Sequence, residues 1–336
     1  MRFSNDTPLP AAMIPNAEQD DRVTAIFLAA LTCRIDRGRL ALAGAQRPLL
    51  LDPRLPYPHD GMLQKSVASV CATGFVYPRE GRAREATAVL RVGERDAAIV
   101  AYGQRVWQRA LGGGLAPSAP LPFERVEMTW QNAYGGVVSE PARVVRLDAD
   151  DGGGEAFIPE HESGYPHNFD GKGFAVDAAR AVDRPLPQLE HPEQLIRRWD
   201  DRPEPVCFAP YPLWGGLRAA HVWRDQQFDP GGASRLASRA APRTTFDAIA
   251  PGTRIALFGM RPGGEALVFE APPPPVAVTV AVGGATDRIL PTLDAVDIDA
   301  EAAEVRLLWR ASVSYGLVQF ERRRARLEAT ESFPVG

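Results

Sequence analysis

Three cysteines in 336 residues, Cys33, Cys71 and Cys207, are too few and too widely spaced to give a disulfide framework or a zinc site with paired ligands. That scarcity fits a reducing cytoplasm. Long apolar runs are missing as well. The most hydrophobic stretch, Val23 to Cys33, is about half the length that spans a bilayer, and it follows Asp20 and Asp21 where a leader would carry lysines. It reads as a buried strand, with no signal peptide and no membrane partner expected. Neither sign of charge is in large excess. A formal net charge of -4 supplies no basic field to hold a phosphate backbone, which argues against nucleic acid as a partner.

Catalytic signatures are equally sparse. Gly171-Lys172-Gly173 is not a phosphate loop, because the preceding glycine, Gly164, is misplaced and Gly173 stands where a magnesium-binding hydroxyl is needed. Gly112-Gly113-Gly114 lacks the strand and helix that flank a dinucleotide turn. Asp148-Ala-Asp150-Asp151-Gly152-Gly153 alternates carboxylates as a calcium loop does, but Gly152 and Pro159 occupy two ligand positions, so it reads as a solvated acidic loop. His161-Glu162 begins no zinc-protease motif, since Tyr165 is the fourth residue after His161. His161, Glu162, His167 and Asp170 nevertheless form the densest set of acid/base or ligating groups, and surface hydrogen bonding is their expected role. No serine lies in a Gly-x-Ser-x-Gly elbow. No enzyme activity, cofactor or metal is expected.

What the chain has in quantity is glycine (30) and proline (31), against a combined share of about 12% in average proteins. Many turns and short strands follow, and 45% apolar content is ample for a core. A hairpin is predicted from Val23 to Ile35 and Leu40 to Leu42 around Asp36-Arg37-Gly38-Arg39. Val67 to Tyr77, Ala86 to Val92 and Ala97 to Tyr102 read as an antiparallel meander. Val126, Met128 and Trp130 alternate as a half-buried strand does.

Residues from about 110 to 122 and from 149 to 222 lack periodicity, apart from a short helix predicted over Pro192 to Trp199 and a weaker one over Gly232 to Ala240. Strands resume over Arg254 to Met260, Ala266 to Glu270, Val276 to Val282 and Glu304 to Trp309, and a long helix is predicted over Gly316 to Ala329. The expected class is therefore mainly β, with antiparallel meanders or sandwich-like lobes, long irregular loops and few short helices. Three regions are expected: an N-terminal β lobe over 1–130, an irregular Gly/Pro-rich middle over 131–245, and a C-terminal β lobe with a terminal helix over 246–336.

Six tryptophans fall at 107, 130, 199, 214, 223 and 309. Large rings of this kind anchor cores, yet Trp, Tyr and Arg also concentrate binding energy at protein interfaces. Arg197, Arg198, Arg202 and Arg218 lie close in sequence to Trp199 and Trp214. Arg322-Arg323-Arg324 with Arg326 reads as a solvated helix face.

Motif order carries a resemblance. Val92-Gly93 is followed by Gly103-Gln104-Arg105-Val106-Trp107, then Phe123 through Trp130 to Tyr134-Gly135-Gly136, then Asn168-Phe-Asp-Gly171-Lys-Gly173-Phe174. Leu186-Pro187-Gln188-Leu189-Glu190-His191-Pro192 comes next, with Arg202-Pro203-Glu204-Pro205, Phe208-Ala209-Pro210, Trp214 and Arg218. In this order, from about residue 20 to about residue 310, the chain resembles a bacterial family of type VI secretion accessory proteins built on a domain of unknown function. Gln104 stands where that family usually has an acidic residue.

The resemblance implies a cytoplasmic, non-enzymatic effector adaptor or chaperone. Such a protein binds a cognate toxin effector and promotes its loading onto the secretion spike, a valine-glycine repeat protein or its tip. Trp199, Arg202, Trp214 and Arg218 are the candidate partner-binding residues. Arg105, Trp107, Trp130, Tyr134, Gly135, Gly136, Gly171 and Gly173 are read as structural signatures. The alternatives are a carbohydrate-active β enzyme working through the loop from His161 to Asp170, or a carbohydrate-binding module stacking sugars on exposed tryptophans.

Overall fold

The computed structural model describes residues 1–17, 21–62, 65, 67–147, 154–212, 223–224, 227–228, 237–316 and 322–333. The fold is mainly β. Its largest unit is a mixed sheet in the order Ala11–Ala17, Arg22–Asp36, Glu304–Gly316, Thr292–Asp299, Ala68–Thr73, Thr245–Phe246, with Arg39–Leu42 also paired to Arg22–Asp36. A five-stranded sheet runs Leu189–Glu190, Arg95–Tyr102, Glu85–Val92, Arg254–Phe258, Leu267–Glu270. A four-stranded one runs Arg2–Asn5, Arg323–Ala329, Val276–Val282, Ala285–Ile289. One hydrophobic core draws on all three sheets. The expected sandwich-like β class is what the residues form.

Strand Arg22–Asp36 shows why its sequence is apolar throughout instead of alternating. Val23, Ala25, Phe27, Ala29, Leu31, Cys33 and Ile35 enter the main core, while Ile26, Leu28 and Ala30 enter a small cluster on the opposite face. A strand buried on both faces needs apolar residues at both parities. Its partner, Glu304–Gly316, sends Val305, Leu307 and Trp309 inward and turns Arg306 and Arg310 to the other face.

The two flanking segments share these sheets. Ala68–Thr73 pairs in parallel with Thr292–Asp299, and Glu85–Val92 pairs with Arg254–Phe258. The expected meander is correspondingly split. Arg95–Tyr102 and Glu85–Val92 form a hairpin in the five-stranded sheet, whereas Ala68–Thr73 belongs to the larger one. Pro78 to Gly81 carries the chain between layers, a move that hairpin-like turn residues do not by themselves reveal.

Two predicted helices are corrected. Of Gly316 to Ala329, Gly316 ends a strand, residues 317–321 lie outside the described set, and Arg323–Ala329 is a strand. Ala325 and Leu327 are buried while Arg324 and Arg326 are exposed, so a period of two governs, and neighbours on both sides satisfy the backbone. The basic run is therefore split between the two faces of a strand, with exposed Arg326 paired to Asp6 and half-buried Arg323, on the other face, 5.2 Å from the Tyr315 ring centroid. Pro192 to Trp199 forms turns. Side-chain acceptors take the amides a helix would use, Glu190 from Ile196 N at 2.9 Å and Asp201 from Arg197 N and Arg198 N at 2.8 Å. Most of Gly232 to Ala240 lies outside the described residues.

The middle region is less irregular than expected. Trp107–Arg109 pairs with Leu115–Pro117, and the strand predicted through Trp130 stops at Glu127, giving way to a 3-10 turn over Trp130–Asn132. Val137–Glu140 pairs with His161–Gly164 and Arg143–Leu147 with Gly154–Ile158, so one two-stranded arm runs from 137 to 164.

Candidate functional site

The site is best built from the root of that arm. Tyr134–Gly135 runs parallel to Lys172–Gly173, and Asn168 joins them. Its side-chain Nδ2 donates to Trp130 O at 2.8 Å and Tyr134 O at 3.1 Å, while its carbonyl accepts from Gly136 N at 2.8 Å. The two stretches cross almost in contact. A Cβ on Gly135, which has φ +149°, would lie 2.0 Å from Asn168 O, and one on Gly171 would lie 2.7 Å from Ala133 O. Glycine is required because backbone occupies the space of a side chain. Lys172, the lysine of the rejected phosphate loop, is half-buried and donates to Asn132 Oδ1 at 2.9 Å.

Around this crossing two of the signature residues, Trp107 and Tyr134, join Tyr165, Ala175, Ala181, Leu186 and Ile196 in a small second core. Tyr134 is buried, its ring edge-on to Tyr165 with centroids 4.8 Å apart, and its hydroxyl donates to Asp201 O at 2.9 Å. Burial pushes the Tyr134 hydroxyl up to about 12. Trp107 is buried with its indole Nε1 lacking an acceptor among the described residues. Trp130 instead packs in the main core against Tyr211, centroids 4.5 Å apart, and donates to Ala209 O and Pro210 O. Arg105 is buried in an ion pair with Glu190, donates to Pro187 O at 2.9 Å, and stands 4.1 Å over the Tyr102 ring. Burial pushes Glu190 up, with Arg105 and the Ile196 amide opposing it.

Of the four candidate contact residues, Trp199 and Arg202 are described, and Trp214 and Arg218 lie outside the described residues. Trp199 is half-buried against the second core. Arg202 lies at the surface but is heavily engaged: its guanidinium donates to Ala175 O at 2.7 Å, Asp201 O at 3.0 Å, Trp199 O at 3.2 Å and the Tyr134 hydroxyl at 3.3 Å, and sits 5.1 Å over Phe174. The two residues meet, as their spacing suggested, in a latch that closes the second core.

The acid/base set is dispersed. His161 and Glu162 are exposed on the arm, with His161 Nε2 3.5 Å from Glu140, while His167 is half-buried 5.2 Å from the Tyr165 ring and Asp170 is exposed. Burial holds His167 below the usual histidine range. Among the described residues no group of three His, Cys, Asp or Glu is arranged to hold a metal ion. All three cysteines are buried and free, and burial pushes Cys33 up to about 11. The acidic turn from Asp148 to Gly153 lies outside the described residues.

Sequence reasoning missed two features. The first is a buried ion network on the outer face of the largest sheet. There Asp60 pairs with Arg239 and Arg306, Asp297 with the same two arginines, and Asp294 with Lys65 and Arg310. A register shift between Leu293 and Ala295 marks where Asp294 leaves the alternation. Clefts of about 330 and 310 Å³ flank the network. Each of its charged groups has an ion-pair partner, although Asp60 Oδ1 and Arg306 Nε have no hydrogen-bond partner among the described residues; Lys65 donates to Ser69 Oγ, Asp294 O and Asp294 Oδ2.

The second is the apolar surface of the arm. Val144 and Phe157 face each other across its two strands at 61% and 69% exposure, and Val137 and Phe169 are exposed nearer the root. Among the described residues these four side chains belong to none of the buried clusters. The signal was in the sequence: Arg143 to Leu147 and Gly154 to Ile158 are β-prone and flank the acidic, glycine-containing run Asp148 to Gly153. No helix among the described residues is long and apolar enough to cross a membrane.

A family model described as an uncharacterized protein conserved in bacteria, DUF2169, matches residues 20–310. No curated protein and no solved structure matches the chain. With the match covering most of its length, the chain belongs to that family of uncharacterized bacterial proteins.

Proposed function

Taking that membership as the premise, we propose that the protein is a type VI secretion effector adaptor, which holds a toxin effector and promotes its loading onto the spike. The observation that carries this reading is the arm from 137 to 164. It places Val144 and Phe157 in solvent while its base is locked by Tyr134, Asn168 and the glycine crossing. A rigid root with an exposed aromatic and aliphatic tip suits one-to-one recognition of a protein. The resemblance of the motif order from Val92 to Arg218 to type VI secretion accessory proteins supports this reading, and the buried signatures Trp107, Trp130 and Tyr134 are residues that keep a scaffold in shape.

The carbohydrate alternatives draw less support. Trp107, Trp130 and Trp309 are buried and Trp199 is half-buried, so these rings do not form a stacking platform. His161, Glu162, His167 and Asp170 do not converge.

Co-expression with any toxin or spike protein encoded beside this gene tests the proposal. Co-purification of either supports an adaptor, and capture of neither removes the role. Trp214→Ala is expected to weaken capture with the melting temperature unchanged. A large fall in melting temperature would make Trp214 a core residue instead.

A further inference from the structure

We propose that the outward face of the four-stranded sheet receives an acidic helix of a protein partner. This rests on the adaptor reading for the partner's being a protein, and it adds a contact surface to the arm. Residues in register lie on the same side of a sheet, so the pairing of the four strands fixes which side chains share that face. Arg2 is in register with Arg324, Arg324 with Ala281, and Ala281 with Thr286. In the next row Ser4 matches Arg326, which matches Thr279, which matches Arg288. The opposite side of the same strands carries Ala325, Leu327, Val278 and Val280 into the main core.

Four arginines thus stand on one face, all of them exposed, and one is compensated. Arg326 holds both carboxylates that reach this face among the described residues, pairing with Asp6 and lying 3.1 Å from Glu328. Arg2, Arg324 and Arg288 make no ion pair or hydrogen bond among the described residues. Asp287, beside Arg288 in sequence, is in register with Val280 and so points to the other side. Arg2 and Arg324 are direct neighbours on parallel strands, about 5 Å apart across the sheet. Like charges placed so raise the energy of the free protein, and a carboxylate set between them removes that cost.

Spacing selects a helix. Arg288 lies two strands and two residues from Arg324, about 12 Å away by strand spacing and rise. Carboxylates seven residues apart on a helix share a face and stand about 11 Å apart. The floor between the cations is Ala281, Thr279 and Thr286, small side chains on which a helix can lie close. Neither row contains an aromatic ring for a base to stack on or a large apolar side chain to enter a lipid surface, so a protein is the anion carrier that this face fits.

Fluorescence anisotropy with the full-length protein tests the face, using a labelled alanine-based helical peptide whose three glutamates are spaced four and three residues apart and so share one side. The control peptide has the same composition with its glutamates distributed around the helix. We expect the one-sided peptide to bind at least about tenfold more tightly than the control, to weaken with added salt, and to lose about tenfold in Arg324→Glu and in Arg288→Glu. Arg324→Glu sets opposite charges on neighbouring strands, so its melting temperature is expected to hold or rise, which separates lost binding from lost folding. Equal binding of the two peptides, no binding up to about 1 mM, or undiminished binding by either variant overturns the inference. Tighter binding of single-stranded DNA or of vesicles rich in anionic phospholipid than of the one-sided peptide overturns it as well. Toxin capture without peptide binding leaves the adaptor role standing and removes this face. Peptide binding by a protein that captures neither toxin nor spike supports the face and removes the adaptor role.

Discussion

Tyr134, at the root of the arm, is 2% exposed with its hydroxyl bonded to a carbonyl; Phe157, on the outer hairpin, is 69% exposed on a ribbon two strands wide. Both are aromatic residues of one middle region. At the root, rings, glycines and one buried ion pair lock several chain segments together. At the outer hairpin, the same apolar chemistry stays exposed, and no buried cluster among the described residues includes it. Recognisable sequence motifs here mark the part that holds its shape, while the exposed part proposed to meet another protein carries ordinary strand residues.

The strongest way to break this contrast is Gly135→Val. Its side chain would start 2.0 Å from a backbone oxygen that has no flexible end to swing aside, at a positive φ. Loss of more than about 4 kcal/mol, measured by chemical denaturation, is expected. Next is Arg105→Met, which leaves Glu190 buried without its cation and should cost about 3–5 kcal/mol by the same measurement.

A smaller effect concerns pH. His191 is buried, and burial, followed by the nearby Arg243, holds it below the usual histidine range. With the folded form binding a proton less readily than the unfolded chain, stability is full above about pH 6.5 and declines as pH falls below it. His191→Asn should flatten the dependence of the denaturation midpoint between pH 7 and 5, by at most about 1.4 kcal/mol per pH unit. The smallest stability change is expected at the tip. Val144→Ser with Phe157→Ser should stay within about 0.5 kcal/mol per site of the original. Should these two cost as much as Arg105→Met, the arm tip is core and the contrast fails.

Much of the fold was legible. The hairpin around Arg37-Gly38, the strand Val276–Val282 and the mainly β class follow from alternation and turn chemistry, which are local. Local patterns did not say which strands share a sheet, so Ala68–Thr73 was grouped with its sequence neighbours although it pairs in parallel with Thr292–Asp299. Helix-favouring arginines hid the strand Arg323–Ala329. Turn residues in Pro192 to Trp199 resembled a helix start until the Glu190 and Asp201 carboxylates took the amides. At the site, Trp199 and Arg202, expected as partner-binding residues, lie together against the second core, where Arg202 donates to Trp199 O. The network joining Asp60 to Arg239 and Arg306 was invisible, since its members come from distant segments and only the folded sheet brings them together.

The pairing of the chain's early and late strands also sets when this molecule can fold. Asp60 meets Arg306 across 246 residues and Asp6 meets Arg326 across 320, and the long strand Arg22–Asp36 finds its longest partner only in Glu304–Gly316. Closing loops of that size is slow, because ordering entropy is lost before any contact repays it. On the ribosome, strand Arg22–Asp36, apolar on both faces, emerges long before its neighbour is made and must wait uncovered. A protein proposed to hold others in readiness is, by its own topology, a late folder.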